Sequence, residues 1–335
     1  MVNDSMISVV VQGPVHGRNV DNSGSHSTFS VIESLRKWMP NSEIILSTWA
    51  GADCTKLTPD VLVTSEDPGA VTLNDTTLAA QTNNLNRMIV STVKGLERCT
   101  RPFVLKMRTD CLVVGVPPFD AIFEDQRISR WKLFESKVIV LNTFTRHPLK
   151  RPVLFHLSDL VHFGRINDVK RLWCIDLVKE PNFTRSIECI RRPRFNAYPE
   201  FDYLFRCAPE QYLAESLSKQ FIPGVNLAHH SDGRTSWLIA WLHILAANFV
   251  IMTPSAANVQ LPKRMTDCVE NFDLFQQKDA AWLNQWGASR TSWRVKCETI
   301  LCYWEARFAY SPYRKLKAIA SRLRLMFQIC FGCAM

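Results

Sequence analysis

Glycine is scarce in this chain of 335 residues: there are 12, beside 17 prolines. So little of either, against 47% apolar and 21% charged side chains, excludes a collagen-like, low-complexity or disordered protein and leaves a globular one. A stretch apolar enough to cross a bilayer is also missing. The longest run, Trp237–Met252, falls about four residues short of the roughly 20 required and contains His243 and Asn248. A buried helix ending near Asn248, followed by a strand at Phe249–Met252, accounts for it. No secretory signal is expected, since Met1 to Ser5 lead straight into a strand-like run. The 11 cysteines are odd in number and follow no framework spacing, so reduced thiols in a cytoplasmic protein are expected. Cys330 and Cys333 form a lone CxxC with no second pair or nearby histidine, which makes incidental cysteines a better reading than a zinc site. No internal repeat is visible.

A one-signed charge is absent from most of the chain as well. Lys and Arg number 40 against 31 Asp and Glu, a surplus of nine. From Ala280 onward there are nine basic and two acidic residues, so the first 279 hold 31 against 29. Such near-neutrality disfavours a basic nucleic-acid-binding or scaffold protein, which spreads positive charge over a recognition surface. Accordingly we divide the chain into a catalytic domain over residues 1–275 and a basic helical tail over 276–335.

What is present is alternation. The apolar runs Ile7–Val11, Glu43–Ser47, Asp60–Thr64 and Phe103–Met107 read as strands. Between them lie helical patterns with Ile32, Leu35 and Met39 on one side, and with Leu85, Met88, Ile89, Val93 and Leu96 through Asn84–Leu96. Further strands are expected at Ser136–Asn142 and Val153–Leu157, and helices at Asn167–Val178 and from Pro209 through Phe221; Pro181–Pro199 reads as an Arg-rich loop. Continuously apolar strands alternating with helices predict an α/β fold with a mostly parallel sheet covered on both faces. Ligands of such sheets lie at the carboxyl ends of the strands.

That rule singles out Asn83–Arg87 and Lys106–Asp110. A carboxylate at Asp110, immediately after an apolar strand, points into the ligand crevice and suits Mg²⁺ or Mn²⁺ held against a diphosphate; the alternative is an ordinary turn aspartate. Asn83, Asn86 and Arg87 can meet a base, ribose or phosphate.

Taken in order, Ile7–Pro14, Leu46–Trp49, Asp67–Gly69, Asn83–Arg87 and Lys106–Asp110 resemble the WavE family of lipopolysaccharide core biosynthesis proteins. The resemblance continues through Leu157–Gly164, Pro209–Leu213 and His229–Asp232, covering roughly Met6 to Met252. At greater distance it extends to nucleotide-sugar transferases of GT-A type, with their Rossmann-like sheet and Asp-x-Asp motif. It implies a glycosyltransferase that moves sugar from a nucleotide-sugar donor to a glycolipid or oligosaccharide acceptor of the cell surface. A nucleotidyltransferase is the alternative, disfavoured because Gln12-Gly13-Pro14 offers one glycine where a Gly-rich phosphate loop is expected.

Carried over residue by residue, the resemblance puts Asp110 at the metal-binding second acid of Asp-x-Asp, with Arg108 where the first would stand. A guanidinium cannot accept a ribose hydroxyl and prefers phosphate, so Lys106 and Arg108 are expected to neutralise part of the leaving diphosphate. Gln12, Gly13, Pro14 and Asp67 complete the donor-binding set, and His229 is the candidate second metal ligand, or else an ordinary histidine. Glu210 matches the carboxylate that deprotonates the acceptor in inverting enzymes, though Gln211 breaks the usual acidic pair; its alternative role is a charge at a helix N-terminus. Asp159 is the competing base, and packing is the preferred reading for His156 and His162. In the tail, Leu316, Ile319, Leu323, Met326 and Phe327 share a helical face flanked by Arg314, Lys315, Lys317, Arg322 and Arg324. With Trp282, Trp286, Trp293 and Trp304, this suits peripheral contact with the anionic inner face of the cytoplasmic membrane, or else a helix packed on the core with a solvated basic back.

Overall fold

The computed structural model describes the chain except for residues 18–25, 74–80, 125–128, 180–204, 268–272, 288–290 and, Leu323 and Met326 apart, 310–335. Its centre is a seven-stranded sheet. In chain order the strands among the described residues are β1 (Ile7–Gln12), β2 (Glu43–Trp49), β3 (Val61–Ser65), β4 (Val71–Leu73), β5 (Gln81–Asn83) and β6 (Phe103–Arg108). They continue with β7 (Leu112–Val113), β8 (Val138–Leu141), β9 (His162–Arg165), β10 (Phe249–Met252) and β11 (Val259–Gln260). The large sheet runs β10-β8-β9-β6-β1-β2-β3, while β4 pairs with β5 and β7 with β11 in two small antiparallel ladders. Within the large sheet every pairing is parallel except those of β9, which runs against both β6 and β8. The mostly parallel α/β sheet expected from the alternation is therefore present, with one reversed strand.

β1 shows why these residues make a two-sided core. It is buried along its whole length. Ile7, Val9 and Val11 join one apolar layer with Val31, Ile32 and Leu35 of helix α1 (Thr28–Trp38). Val10 joins the other with Leu85, Ile89 and Leu96 of α2 (Leu85–Leu96). This is the period-two projection of a strand between two helical layers. The second layer also takes α3 (Ile166–Trp173), α4 (Pro209–Ser218) and α5 (Thr235–Asn248). The apolar run near Trp237 is thus a buried helix, followed directly by β10. Asn248 ends it: its Nδ2 donates to Ile244 O at 2.9 Å, and its Oδ1 accepts from Leu133 N at 2.7 Å. None of the described helices is long and apolar enough to cross a membrane.

Two expectations need correction. Val153–Leu157 is not a strand, although all five residues are buried. Phe155 takes a left-handed backbone at φ +57°, which no strand accommodates. The polar backbone is instead satisfied locally: Leu154 O accepts from Gln211 Nε2 at 2.9 Å and His156 O from Arg146 N at 3.3 Å. The predicted helix to Val178 also stops early, at Trp173. The expected loop at Pro181–Pro199 lies outside the described residues.

Among the described residues two short helices, α6 (Lys263–Asp267) and α7 (Asp279–Asn284), and the longer α8 (Trp293–Ala309) follow β11. Trp286 and Tyr303 are fully buried in the second core layer. Trp286 O accepts from His243 Nδ1 at 2.6 Å, Trp282 stacks on His147, and Trp304 Nε1 donates to Thr235 Oγ1 at 3.2 Å. Of the four tail tryptophans, Trp293 is the exposed one, at 59%. The expected apolar face from Leu316 to Phe327 and its flanking basic residues lie outside the described residues apart from Leu323 and Met326, and both of these are exposed.

Candidate active site at the carboxyl edge of the sheet

β2 and β3 lie on one side of β1 and β6 lies on the other, so the strand order reverses between β1 and β6. The loops leaving such a pair diverge and open a crevice at their carboxyl ends. A cleft of about 370 Å³ lies there, lined by Gln12, Gly13, Pro14, Arg87, Arg108 and Thr109 among others. Gly13 is required: its φ is +125°, and a Cβ on it would stand 3.1 Å from Thr109 Oγ1. Thr109 N donates to Gln12 O at 3.0 Å, which ties the two strand ends together. Gln12 is itself held from below, its Oε1 accepting from Ser91 Oγ of α2 at 2.6 Å.

The Asn83–Arg87 segment divides its labour. Arg87 lines the cleft and is clamped by Asp67, with Nη2 to Oδ2 at 2.6 Å and Nε to Oδ1 at 2.8 Å, while Nη1 reaches Asn84 Oδ1 at 3.0 Å. Hydrogen bonding from Arg87 holds Asp67 below the usual carboxylate range. Asn83 is buried and accepts from Leu85 N at 2.8 Å, so it fixes the entry to α2. Asn86 does not line the cleft. Its carboxamide pairs with the backbone of Val178, donating at 3.0 Å and accepting at 2.9 Å. Asn84, by contrast, does line it.

Lys106 lies beneath the site. Its ammonium is fully buried, donates to the Asp159 carbonyl and sits 4.4 Å from the centre of the Trp173 ring. Burial lowers its pKa to about 8, against the pull of the Asp159 charge. His162, opposite it on β9, is equally buried; its Nδ1 accepts from Trp173 Nε1 at 2.9 Å, so its Nε2 is the donor to Ser158 O at 2.7 Å. Burial keeps that imidazole neutral, with a pKa near 3. Together they buttress the Ser158–Leu160 turn.

Asp110 follows Arg108 and Thr109 of the cleft lining, and is itself fully buried and flanked by cations. Arg108 Nε and Nη2 donate to its two oxygens at 3.2 Å and 3.4 Å, and Arg264 Nη2 forms an ion pair with Oδ2. Arg264 comes from α6. The β7–β11 ladder, pairing Val113 with Val259, carries that distant segment to the end of β6. Burial alone would raise Asp110, but Arg108, Arg264 and His16 outweigh it and hold the carboxyl below its ordinary range. Arg108 in turn stays firmly charged despite burial, attracted by Asp110 and Asp159. Among the described residues there is no group of three or more His, Cys, Asp or Glu that could hold a metal ion. His229 belongs to a turn in which its carbonyl accepts from Asp232 N at 2.8 Å, beside His230. The donor set at Asp110 does not fit a divalent cation, because the carboxylate already satisfies two guanidinium groups.

A pair of carboxylates, Asp159 and Glu210, also lies within electrostatic reach of Arg108. α4 begins at Pro209, and its first turn meets the Leu157 segment, Leu157 N lying 3.5 Å from Glu210 O. This places Glu210 within electrostatic reach of Asp159, Arg108 and Arg146. Burial first, and the Asp159 charge second, push Glu210 up to about 8. Arg146 is shared with Asp273, which also accepts from Arg151 Nη1 at 2.9 Å. His156 and His230 pack edge to face behind this cluster and are held neutral by burial, as packing histidines. Arg264, Arg146 and Asn84 were not singled out by the sequence reading. Only Asn84, inside the polar cluster already noted, carried a local signal.

In structure, a cytidylyltransferase from Leptospira borgpetersenii serovar Hardjo-bovis (strain JB197) is similar over 52% of this chain and 66%, just under two thirds, of its own, at 9% sequence identity and a TM-score of 0.31. That likeness is too slight to bear on activity. No curated protein matches the chain. The family model for WavE lipopolysaccharide synthesis matches residues 7–313, nearly the whole length and all of the site described above, and the chain belongs to that family.

Proposed function

We propose that the protein is a glycosyltransferase that moves a sugar from a nucleotide-sugar donor to a hydroxyl of a lipopolysaccharide core or related surface glycan. The observation that carries this reading is the position of Arg108. It lines the crevice between β1 and β6, and it also lies in the field of Asp159 and Glu210. A diphosphate in the cleft would therefore bring the adjoining anomeric carbon close to a pair of carboxylates, Asp159 buried and Glu210 half-buried.

The chemistry follows from those groups. The bond from the anomeric carbon to the phosphate oxygen breaks, and the electron pair leaves with the diphosphate, where guanidinium charge stabilises it. The acceptor oxygen forms the new bond and its proton passes to a carboxylate. Glu210 takes it in its ionised form, which a pKa near 8 makes increasingly available as pH rises toward that value, and a general base works best when its pKa lies near the working pH. Asp159 maintains that elevated pKa by its charge. Lys106 and His162 hold the Asp159 turn in place. The glycolipid acceptor would be met at an anionic membrane surface, a reading supported by the basic surplus after Ala280.

Thermal-shift screening of nucleoside-diphosphate sugars tests the donor assignment, because a ligand bound only by the folded state raises its stability. At least one donor should raise the melting temperature of the wild type. Arg87→Ala should abolish that rise while melting within about 1 kcal/mol of wild type, since its ion pair with Asp67 is more than a third exposed on both sides. A panel that shifts neither protein would overturn the assignment.

A further inference from the structure

The arrangement around Asp110 has a chemical consequence for the donor site, and it rests on the nucleotide-sugar reading above. One fully buried carboxylate faces two guanidinium groups, Arg108 at the end of β6 and Arg264 from α6. Neither arginine is sealed away: Arg108 keeps 25% and Arg264 33% of its side chain exposed. Arg108 also lines the cleft. A guanidinium fork carries five N–H donors, and Asp110 engages two of those of Arg108. Bidentate recognition of phosphate oxygens is the characteristic use of such a fork, and holding it by a buried carboxylate reduces the entropy lost on binding. A metal-binding aspartate presents its oxygens to the ligand. Here the oxygens face arginines, of which Arg108 lines the cleft.

We propose that Arg108, positioned by Asp110 in an ion-pair cluster that Arg264 completes, binds the donor diphosphate and supplies the charge neutralisation that a divalent cation provides in Asp-x-Asp transferases. Asp110 is then a positioning residue and not a metal ligand. The departing diphosphate takes the electron pair of the broken glycosidic bond and stays paired to guanidinium groups, with no co-reactant needed.

The test is calorimetric titration of the full-length protein with UDP, CDP, GDP and ADP, once in EDTA and once in Mn²⁺. At least one of them should bind in EDTA within about threefold of its affinity in Mn²⁺. Arg108→Ala should weaken that binding about tenfold or more in both buffers. Arg108→Lys, which preserves a charge beside Asp110 and so guards against misfolding, should weaken it in the same way without creating a need for Mn²⁺. Binding that appears only with Mn²⁺ would overturn this inference while leaving the donor assignment standing. Binding by none of the four in either buffer would reject the donor cleft itself, and this inference with it.

Discussion

Glu210 carries a proton that the unfolded chain would not hold. Burial and the neighbouring Asp159 raise its pKa from 4.5 to about 8 in the fold. Between those two values the native state binds more protons than the unfolded state, so this residue makes stability fall as pH rises through that window. The effect is absent below about pH 4.5 and complete above about pH 8. Glu210→Gln keeps the size and the neutral character while removing the titration. In chemical denaturation the variant should therefore gain on the wild type by a few kcal/mol between pH 5 and pH 8, and the difference should grow with pH. A pH-independent difference would show that the carboxyl is not held protonated. The same substitution should lower glycosyl transfer about 100-fold or more, the usual contribution of a positioned base. Stability gained together with activity lost is the pattern expected where a buried acid is kept for its chemistry and not for packing.

Among the elements, α2 sets the site because of how closely it approaches the sheet. Gly95 lies against β1 and β2: a Cβ there would overlap Val10 Cγ1 and stand 3.2 Å from Ser47 Cβ. Gly95→Ala must push the helix outward, at a cost of about 1–3 kcal/mol for overpacking, reduced somewhat by the higher helix propensity of alanine. Since Arg87 and Ser91 ride on the same helix and touch Asp67 and Gln12, donor binding should weaken along with stability. Urea denaturation and nucleoside-diphosphate titration of the variant check the two halves. Unchanged stability would mean that the layer yields more easily than a packed interior should.

The same elements show what could be read from the chain. β1, α2 and β6 were legible because their apolar periodicity spans five or more residues and ends at a polar turn, and that sufficed to locate the cleft, Arg87, Arg108 and Asp110. Val153–Leu157 misled because burial on all sides gives an apolar run whether or not the backbone is extended, and only Phe155's left-handed turn distinguishes the two. β9, with the sequence His162-Phe163-Gly164-Arg165, is too short and mixed to announce itself. Arg264 could not be found locally, because its meeting with Asp110 depends on the two-residue β7–β11 ladder. Asn86, which the polar cluster suggested for the donor, serves instead to fasten the Val178 backbone to α2.

At the scale of the whole molecule, the remaining question is how a protein with no membrane-crossing helix among its described residues would meet a glycolipid. Three of the four tail tryptophans make contacts within the fold, with His147, His243 and Thr235, and Trp293 is the exposed one. Attraction must then be mostly electrostatic. Arg314, Lys315, Lys317, Arg322 and Arg324 crowd a short stretch of sequence, and each basic residue near an anionic surface is worth about 1 kcal/mol. The force falls off within a Debye length of about 8 Å at physiological ionic strength. Full-length protein should accordingly float with vesicles rich in phosphatidylglycerol, less with vesicles of neutral lipid, and progressively less as salt is raised. A chain ending at Ser311 retains the buried Trp286 and Tyr303 and should fold, but should stay at the bottom of the gradient. Equal flotation of the two chains would remove the basic stretch from membrane contact, and the acceptor would then have to reach the Glu210 cleft from solution.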